Sequence, residues 1–236
     1  IFLGLGFIYV GCGWVGLAIF IAQTTGAQVL GISISKEQID YARQKAIAAG
    51  VGERVKFEFC DYRDLAGSFD RIVAAGILEH IGRPQYRRFF AKLEACLAED
   101  GVVLVDAAGR KDGPGRTNPW LQAHIFPGGY IPSLSEIARA VERTRLMIHD
   151  VEISAMQYAL TVREWRRRFG ARRDEIGREM GEEFVRMYDL YLAASEMAFV
   201  HGRHGNIQLV MSRSRFAVPL TRAAPVLTER PRQICR

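Results

Sequence analysis

The chain has 236 residues, 49% of them hydrophobic and 25% charged. That length and balance exclude a disordered polymer and a small disulfide scaffold, and they leave room for one α/β domain with a full core. A net charge of +6, carried mostly by arginine, favours an anionic partner such as a phospholipid surface or nucleic acid.

Residues 1–22 carry no charged side chain. The run is long enough to suggest a membrane span, but its glycines and the lack of flanking basic residues argue against one, and no signal-peptide n-region precedes it. Because the chain opens on Ile1, directly on a strand, a segment before it is expected. Residues 7–10 form that buried strand. It runs into Gly11-Cys12-Gly13-Trp14-Val15-Gly16, a G-x-G-x-x-G turn, and then into a helix. Such a turn serves a dinucleotide or S-adenosylmethionine, or it is a tight turn with no ligand. Further strands are expected at 27–32, 54–59, 69–74 and 101–106, with helices at 36–49 and 86–97; Ser35 is a plausible N-cap. Alternating strands and helices predict a doubly wound, mostly parallel sheet with ligands beyond the carboxyl ends of its strands. The segments 11–16, 33–38, 61–63 and 75–80 fall at such ends.

The two cofactors separate on one point. A dinucleotide site wants an acid about twenty residues past the glycines for the ribose hydroxyls. Here the second strand ends in Gly31-Ile32-Ser33-Ile34-Ser35, without one, whereas Asp61 follows the third strand, placed to accept from an adenine amino group. S-adenosylmethionine is the better fit. The four cysteines, Cys12, Cys60, Cys96 and Cys235, are scattered, which suits a reducing compartment and offers no metal site.

At this point the residues resemble the cyclopropane-fatty-acid synthase family. The matching stretches are Gly11-Cys12-Gly13-Trp14, residues 31–38, Asp61-Tyr62-Arg63-Asp64, residues 69–73, Leu78-Glu79-His80-Ile81-Gly82, Asn118-Pro119-Trp120, Ile125-Phe126-Pro127-Gly128-Gly129-Tyr130-Ile131-Pro132-Ser133, and residues 184–192. The resemblance runs from about residue 7 to 213 and implies a seven-stranded, Rossmann-like methyltransferase domain over 1–213. Lid and acyl-binding insertions are expected around 109–132 and 156–200. It also implies a methyl transfer from S-adenosylmethionine to a double bond in an unsaturated phospholipid acyl chain, followed by proton loss that closes a cyclopropane. The cofactor would lie on Gly11, Cys12, Gly13, Trp14, Ser33, Ile34, Gln38, Asp61, Tyr62, Arg63 and Ala75. Glu79 would belong to the family's bicarbonate site, with Tyr158 its hydroxyl donor. The resemblance further implies a cytoplasmic protein peripheral to the inner face of the membrane, and it admits a homodimer.

The departures from the family are specific. Tyr9 stands where the family has Asp, so weaker cofactor binding is expected. Asp106 stands for a bicarbonate-site His and Ala108 for an Ile; two carboxylates facing one anion repel it. Ser195 replaces a cysteine that direct methyl transfer does not need. A methyltransferase for another substrate and a degenerate relative remain as alternatives. Nucleic acid is not expected, because the aromatic-plus-basic pattern of a nucleic-acid groove is missing.

Beyond residue 108 a Gly/Pro-rich loop holds a short helix near 120–124. A strand is expected at 148–153, helix over most of 161–199, and a closing strand at 206–211. Arg163, Arg166, Arg167, Arg168, Arg172 and Arg173 form a basic cluster, read either as a solvated helix face or as a contact with anionic headgroups. Residues 214–236, rich in Pro and Arg, are expected to be a flexible tail.

Overall fold

The computed structural model describes residues 6–218. Seven strands form one sheet: β1 (Gly6–Val10), β2 (Gln28–Ser33), β3 (Val55–Phe59), β4 (Phe69–Ala75), β5 (Leu97–Arg110), β6 (Met147–Ser154) and β7 (His204–Ser212). Their order is β3-β2-β1-β4-β5-β7-β6. The first five pair in parallel, and β7 lies antiparallel to both β5 and β6. This is the doubly wound, mostly parallel sheet that the alternating pattern predicts.

Side chains alternate across a strand, so each strand feeds two layers. Ile8, Val10, Ile72, Val103, Val105 and Leu209 face one layer, with α4 (Tyr86–Ala95) and α6 (Leu134–Val141) packed over them. On α4 the buried residues are Tyr86, Phe89, Phe90 and Leu93, spaced i, i+3, i+4, i+7, which is one face of a helix. Phe7 and Tyr9 point to the opposite layer, where α1 (Gly16–Thr25) and α2 (Lys36–Ala48) lie. Ser35 caps α2 as expected, its hydroxyl accepting from the Gln38 N–H at 3.2 Å. On the β5 side of that same face, α7 (Met156–Ala171) and α9 (Glu182–Val200) close over Ala108.

Three features differ from the sequence expectations. The helix α6 was not anticipated, although a capping box marks its start: Ser133 receives an N–H from the first turn while Glu136 accepts from the Ser133 N–H at 3.0 Å. The strand β5 extends past 101–106 at both ends: β4 pairs with it at Leu97, and β7 pairs with it through Arg110. The long helical stretch breaks into α7, α8 (Arg173–Met180) and α9, with Gly181 at φ 87° making the second break. A short helix α3 (Leu78–Ile81), a 3₁₀ turn at Arg83–Gln85 and α5 (Pro119–His124) complete the fold. Most of the expected tail, 219–236, lies outside the described residues; residues 214–218 form a turn closed by the Ala217 N–H on the Ser214 carbonyl.

The basic cluster on α7 and α8 is largely neutralised. Arg163 pairs with Glu196 at 2.6 Å, Arg166 with Asp189 at 3.0 Å, and Arg167 and Arg168 share Glu164 at 2.7 and 2.8 Å. Arg172 and Arg173 pair with Glu175 and Glu182. Facing carboxylates cancel most of the field that six arginines in sequence suggest. Among the described residues, no helix is long and apolar enough to cross a membrane.

Candidate active site

A cleft of about 550 Å³ opens beyond the carboxyl ends of β1, β2, β3 and β4. Parallel strands place their following turns on one edge of the sheet, so four loops distant in sequence meet there. The turn after β1 is held by two hydrogen bonds: the Gly11 and Cys12 N–H groups both donate to the Ile32 carbonyl, at 3.0 and 2.9 Å. Gly11 has φ +71°, and a Cβ there would lie 2.7 Å from Ile77 Cδ1, so the first glycine lets the β1 and β4 turns pack together. Gly13 and Gly76 also have positive φ and face open space in the cleft.

Of the eleven residues assigned to the cofactor, Gly11, Gly13, Ser33, Ile34, Gln38, Asp61, Tyr62 and Arg63 line this cleft. The Ser33 hydroxyl donates to the Gln38 side-chain amide at 2.8 Å. Arg63 clamps Asp61 with its backbone N–H, Nε and Nη2 at 2.9, 2.9 and 2.6 Å. That clamp keeps the Asp61 carboxyl below the usual range, and it leaves one acceptor position on Oδ2 for a further donor. Cys12, Trp14 and Ala75 stand off the wall. The Cys12 side chain is buried with Val29 and Phe57, and burial pushes its thiol up to about 11. Trp14 is 64% exposed and meets the edge of Tyr41. Ala75 ends β4 in register with Asp106. Eight further wall residues, among them Ile77, His80 and Gln85, were not assigned to the cofactor; Ile77 and His80 lie in the segment 75–80 expected at a strand end, whereas Gln85 lies outside every such segment.

Behind the β4 turn lies a second, polar group. Glu79 is half-buried with its carboxylate enclosed: Oε1 accepts the Ala108 N–H at 2.6 Å, while Oε2, shut off from solvent, has no hydrogen-bond partner among the described residues. Burial pushes its carboxyl up to about 7; two backbone N–H groups pull it down and the nearby Asp106 raises it again. Asp106 Oδ2 accepts from Asn206 Nδ2 at 2.6 Å. The Asn206 side-chain oxygen, Oδ1, is buried without a partner among the described residues. Tyr158 faces both carboxylates, and burial first, then Glu79, pushes its hydroxyl up to about 12. On β1 the Tyr9 hydroxyl is likewise pushed up to about 12, chiefly by burial, with Cys12 and then Asp106 adding to it. Thus Glu79, Asp106 and Tyr158 come together. Ser195 lies one turn along α9 from Tyr191, near the Tyr191 hydroxyl, and makes no hydrogen bond with Glu79, Asp106 or Tyr158 among the described residues. Aromatic edges link the two groups: His80 on the cleft wall meets Phe126 at 5.7 Å, Phe126 meets Tyr191 at 5.6 Å, and Tyr191 meets Tyr188 at 5.4 Å.

Residues 3–210 match a family profile described as mycolic acid cyclopropane synthetase. The chain belongs to this family. Within the mycolic acid cyclopropane synthetase family and its relatives, it is 39% identical over 199 residues to tuberculostearic acid methyltransferase of Mycobacterium tuberculosis, covering 82% of this chain and 46% of that protein. It is 35% identical over 206 residues to cyclopropane-fatty-acyl-phospholipid synthase of Escherichia coli, covering 87% of this chain and 52% of that one. The chain therefore spans about half the length of these curated relatives. Among solved structures, a cyclopropane synthase of Mycobacterium tuberculosis superposes with a TM-score of 0.82 at 21% identity, covering 88% of this chain and 78% of that one. A mycolic acid cyclopropane synthase complexed with SAH and CTAB gives the same TM-score at 23% identity and the same coverage. These two likenesses establish the fold.

Proposed function

We propose that this chain binds S-adenosylmethionine in the cleft and directs its methyl group to the double bond of an unsaturated phospholipid acyl chain. Family membership supports the class of chemistry; the lipid substrate is our reading. The observation that carries it is the pairing of a glycine-floored cleft with a buried carboxylate behind an aromatic wall.

Gly13 and Gly76 leave room for the cofactor, the clamped Asp61 offers an acceptor to its adenine amino group, and Ser33 and Gln38 lie at the tip of β2. When bound, S-adenosylmethionine supplies an electrophilic methyl. The alkene carbons form the new C–C bond and take up the positive charge. Tyr191, Tyr188 and Phe126 present ring faces and edges near the path, and ring faces attract a cation. Glu79 Oε2 is then the open acceptor for the departing proton. Loss from the new methyl closes a cyclopropane; loss from a neighbouring chain carbon leaves a methyl-branched alkene. Neither route needs a reductant.

A bound bicarbonate does not fit this chain. Glu79, Asp106 and the spare Asn206 oxygen are acceptors, and the Ala108 N–H is already taken by Glu79. Above about pH 7, where Glu79 has lost its proton, an anion would meet the Tyr158 hydroxyl and two carboxylates.

The test is incubation with S-adenosylmethionine and vesicles of unsaturated phospholipid, followed by mass spectra of the released fatty acids. We expect species heavier by one CH2 that retain one ring or one double bond. Cofactor binding with no lipid product would refute the lipid reading and favour another methyl acceptor or an inactive relative.

A further inference from the structure

A second pocket, of about 290 Å³, lies on the α4–α6 side of the sheet. Its wall holds four arginines: Arg83 and Arg87 from the 3₁₀ turn and α4, and Arg139 and Arg143 from α6 and its end. Arg83 pairs with the nearly buried Glu136 at 3.0 Å. Among the described residues, Arg87, Arg139 and Arg143 make no ion pair and no side-chain hydrogen bond. The contrast with α7 and α8 is direct, since every arginine of the expected cluster there has its carboxylate. Glu136 also lines the pocket, but Arg83, Tyr130 and Ser133 occupy its carboxylate. The other three guanidinium groups gather around one concavity without a paired counter-charge and repel each other, and an anion between them relieves that repulsion.

A second, independent observation lies at the same pocket. Tyr86 also lines it, and its side chain is 2% exposed with a hydroxyl that has no hydrogen-bond partner. A buried hydroxyl left unpaired costs free energy unless a ligand or water satisfies it. Burial and Glu136 hold this hydroxyl in its protonated form, so it can donate to an anion. Ser135, in the first turn of α6, adds a second hydroxyl.

We propose that this pocket binds a phosphate group, with Arg87, Arg139 and Arg143 supplying charge and Tyr86 a buried hydrogen bond. Guanidinium groups match phosphate oxygens in geometry as well as charge. The volume is at the low end for ligand sites, which suits a phosphate with a small alcohol rather than a nucleotide. The chemistry is shared by a phospholipid headgroup and a soluble phosphate ester. Gln85, between Pro84 and Tyr86, faces the cofactor cleft, so the two cavities share one short wall. The proposal does not rest on lipid methylation, and it is tested without S-adenosylmethionine or turnover.

The experiment is calorimetric titration of the whole chain with inorganic phosphate and with glycerol 3-phosphate, at constant ionic strength. Co-sedimentation with phosphatidylglycerol and with phosphatidylcholine vesicles runs beside it. Arg139→Gln/Arg143→Gln should weaken phosphate binding about tenfold or more, as the loss of charge-assisted bonds implies. Tyr86→Phe should weaken it several-fold, and thermal unfolding checks that both variants stay folded. Arg166→Gln/Arg167→Gln serves as the control and should leave binding unchanged. If phosphatidylglycerol binding falls with the same variants, the ligand is a headgroup; if only the soluble esters respond, it is a soluble phosphate. Phosphate and vesicle binding that are absent, or equal in the parent, Arg139→Gln/Arg143→Gln and Tyr86→Phe proteins, would overturn the proposal.

Discussion

Glu79→Gln should lower the rate of lipid modification by about 10²–10⁴-fold, the range over which a positioned base acts. The amide keeps the shape and can still accept the Ala108 N–H, but it cannot take a proton. The parent rate should rise with pH and level off above about 7, where Glu79 loses its own proton. The variant's residual rate should lack that limb. Stability should move the other way. Folding raises the Glu79 pKa from 4.5 to about 7, so the native state holds a proton that the unfolded chain has released. The native state is favoured most below pH 4.5, loses ground as pH rises through 7, and above that carries a cost of about 3 kcal/mol. Glutamine carries no such cost, so the variant should melt higher than the parent at pH 8 and no higher at pH 4.5. Thermal unfolding across that range measures it. A fully active variant, or two parallel stability profiles, would remove Glu79 from the mechanism.

Asp106→His should convert a bicarbonate-insensitive protein into one that bicarbonate stimulates. The parent group is rich in acceptors and negative charge; histidine removes one carboxylate and adds a ring N–H. Asp106→Asn should instead lower activity, by about tenfold if one charge-assisted hydrogen bond is lost. Its amide can meet Asn206 but supplies no charge beside Glu79. Rates of the three proteins with and without added bicarbonate decide the matter. A parent already stimulated by bicarbonate would show that the two carboxylates tolerate an anion between them.

The parts legible in the sequence are those set by local pattern. Apolar runs ending in glycine or a polar corner mark β1 to β4, and the turns that follow must share one edge once the strands are parallel. That places Ser33 and Asp61 on one cleft from spacing alone. The start of α6 was equally legible in Ser133 and Glu136, three apart, but its apolar stretch is short and follows a distinctive glycine-proline string. Long-range partners leave no such trace. Asn206 meets Asp106 from 100 positions away, and Arg163 finds Glu196 33 positions on, across two helices. A row of arginines therefore reads as positive when folding has neutralised it. The arginines of the second pocket, two before β5 and two well after it, read as scattered when folding has gathered them. Within the glycine turn itself, side-chain direction is set by the turn, which buries Cys12 and throws Trp14 outward.

The place of β7 between β5 and β6 has a consequence for the order of assembly. Strand β6 touches the sheet through β7, and β7 is the last of the seven described strands in chain order. While the chain emerges from a ribosome, β6 has no ladder to join until some fifty residues later, when His204–Ser212 arrives. Both strands should then acquire protection in one step, after β1 to β5, in pulse-labelled hydrogen exchange; earlier protection of β6 would contradict this. The same step brings Asn206 to Asp106. A nascent or clipped chain ending before His204 would thus hold the cleft of β1 to β4 beside an unfinished carboxylate pair, so the fold delays that group until β7 has been made.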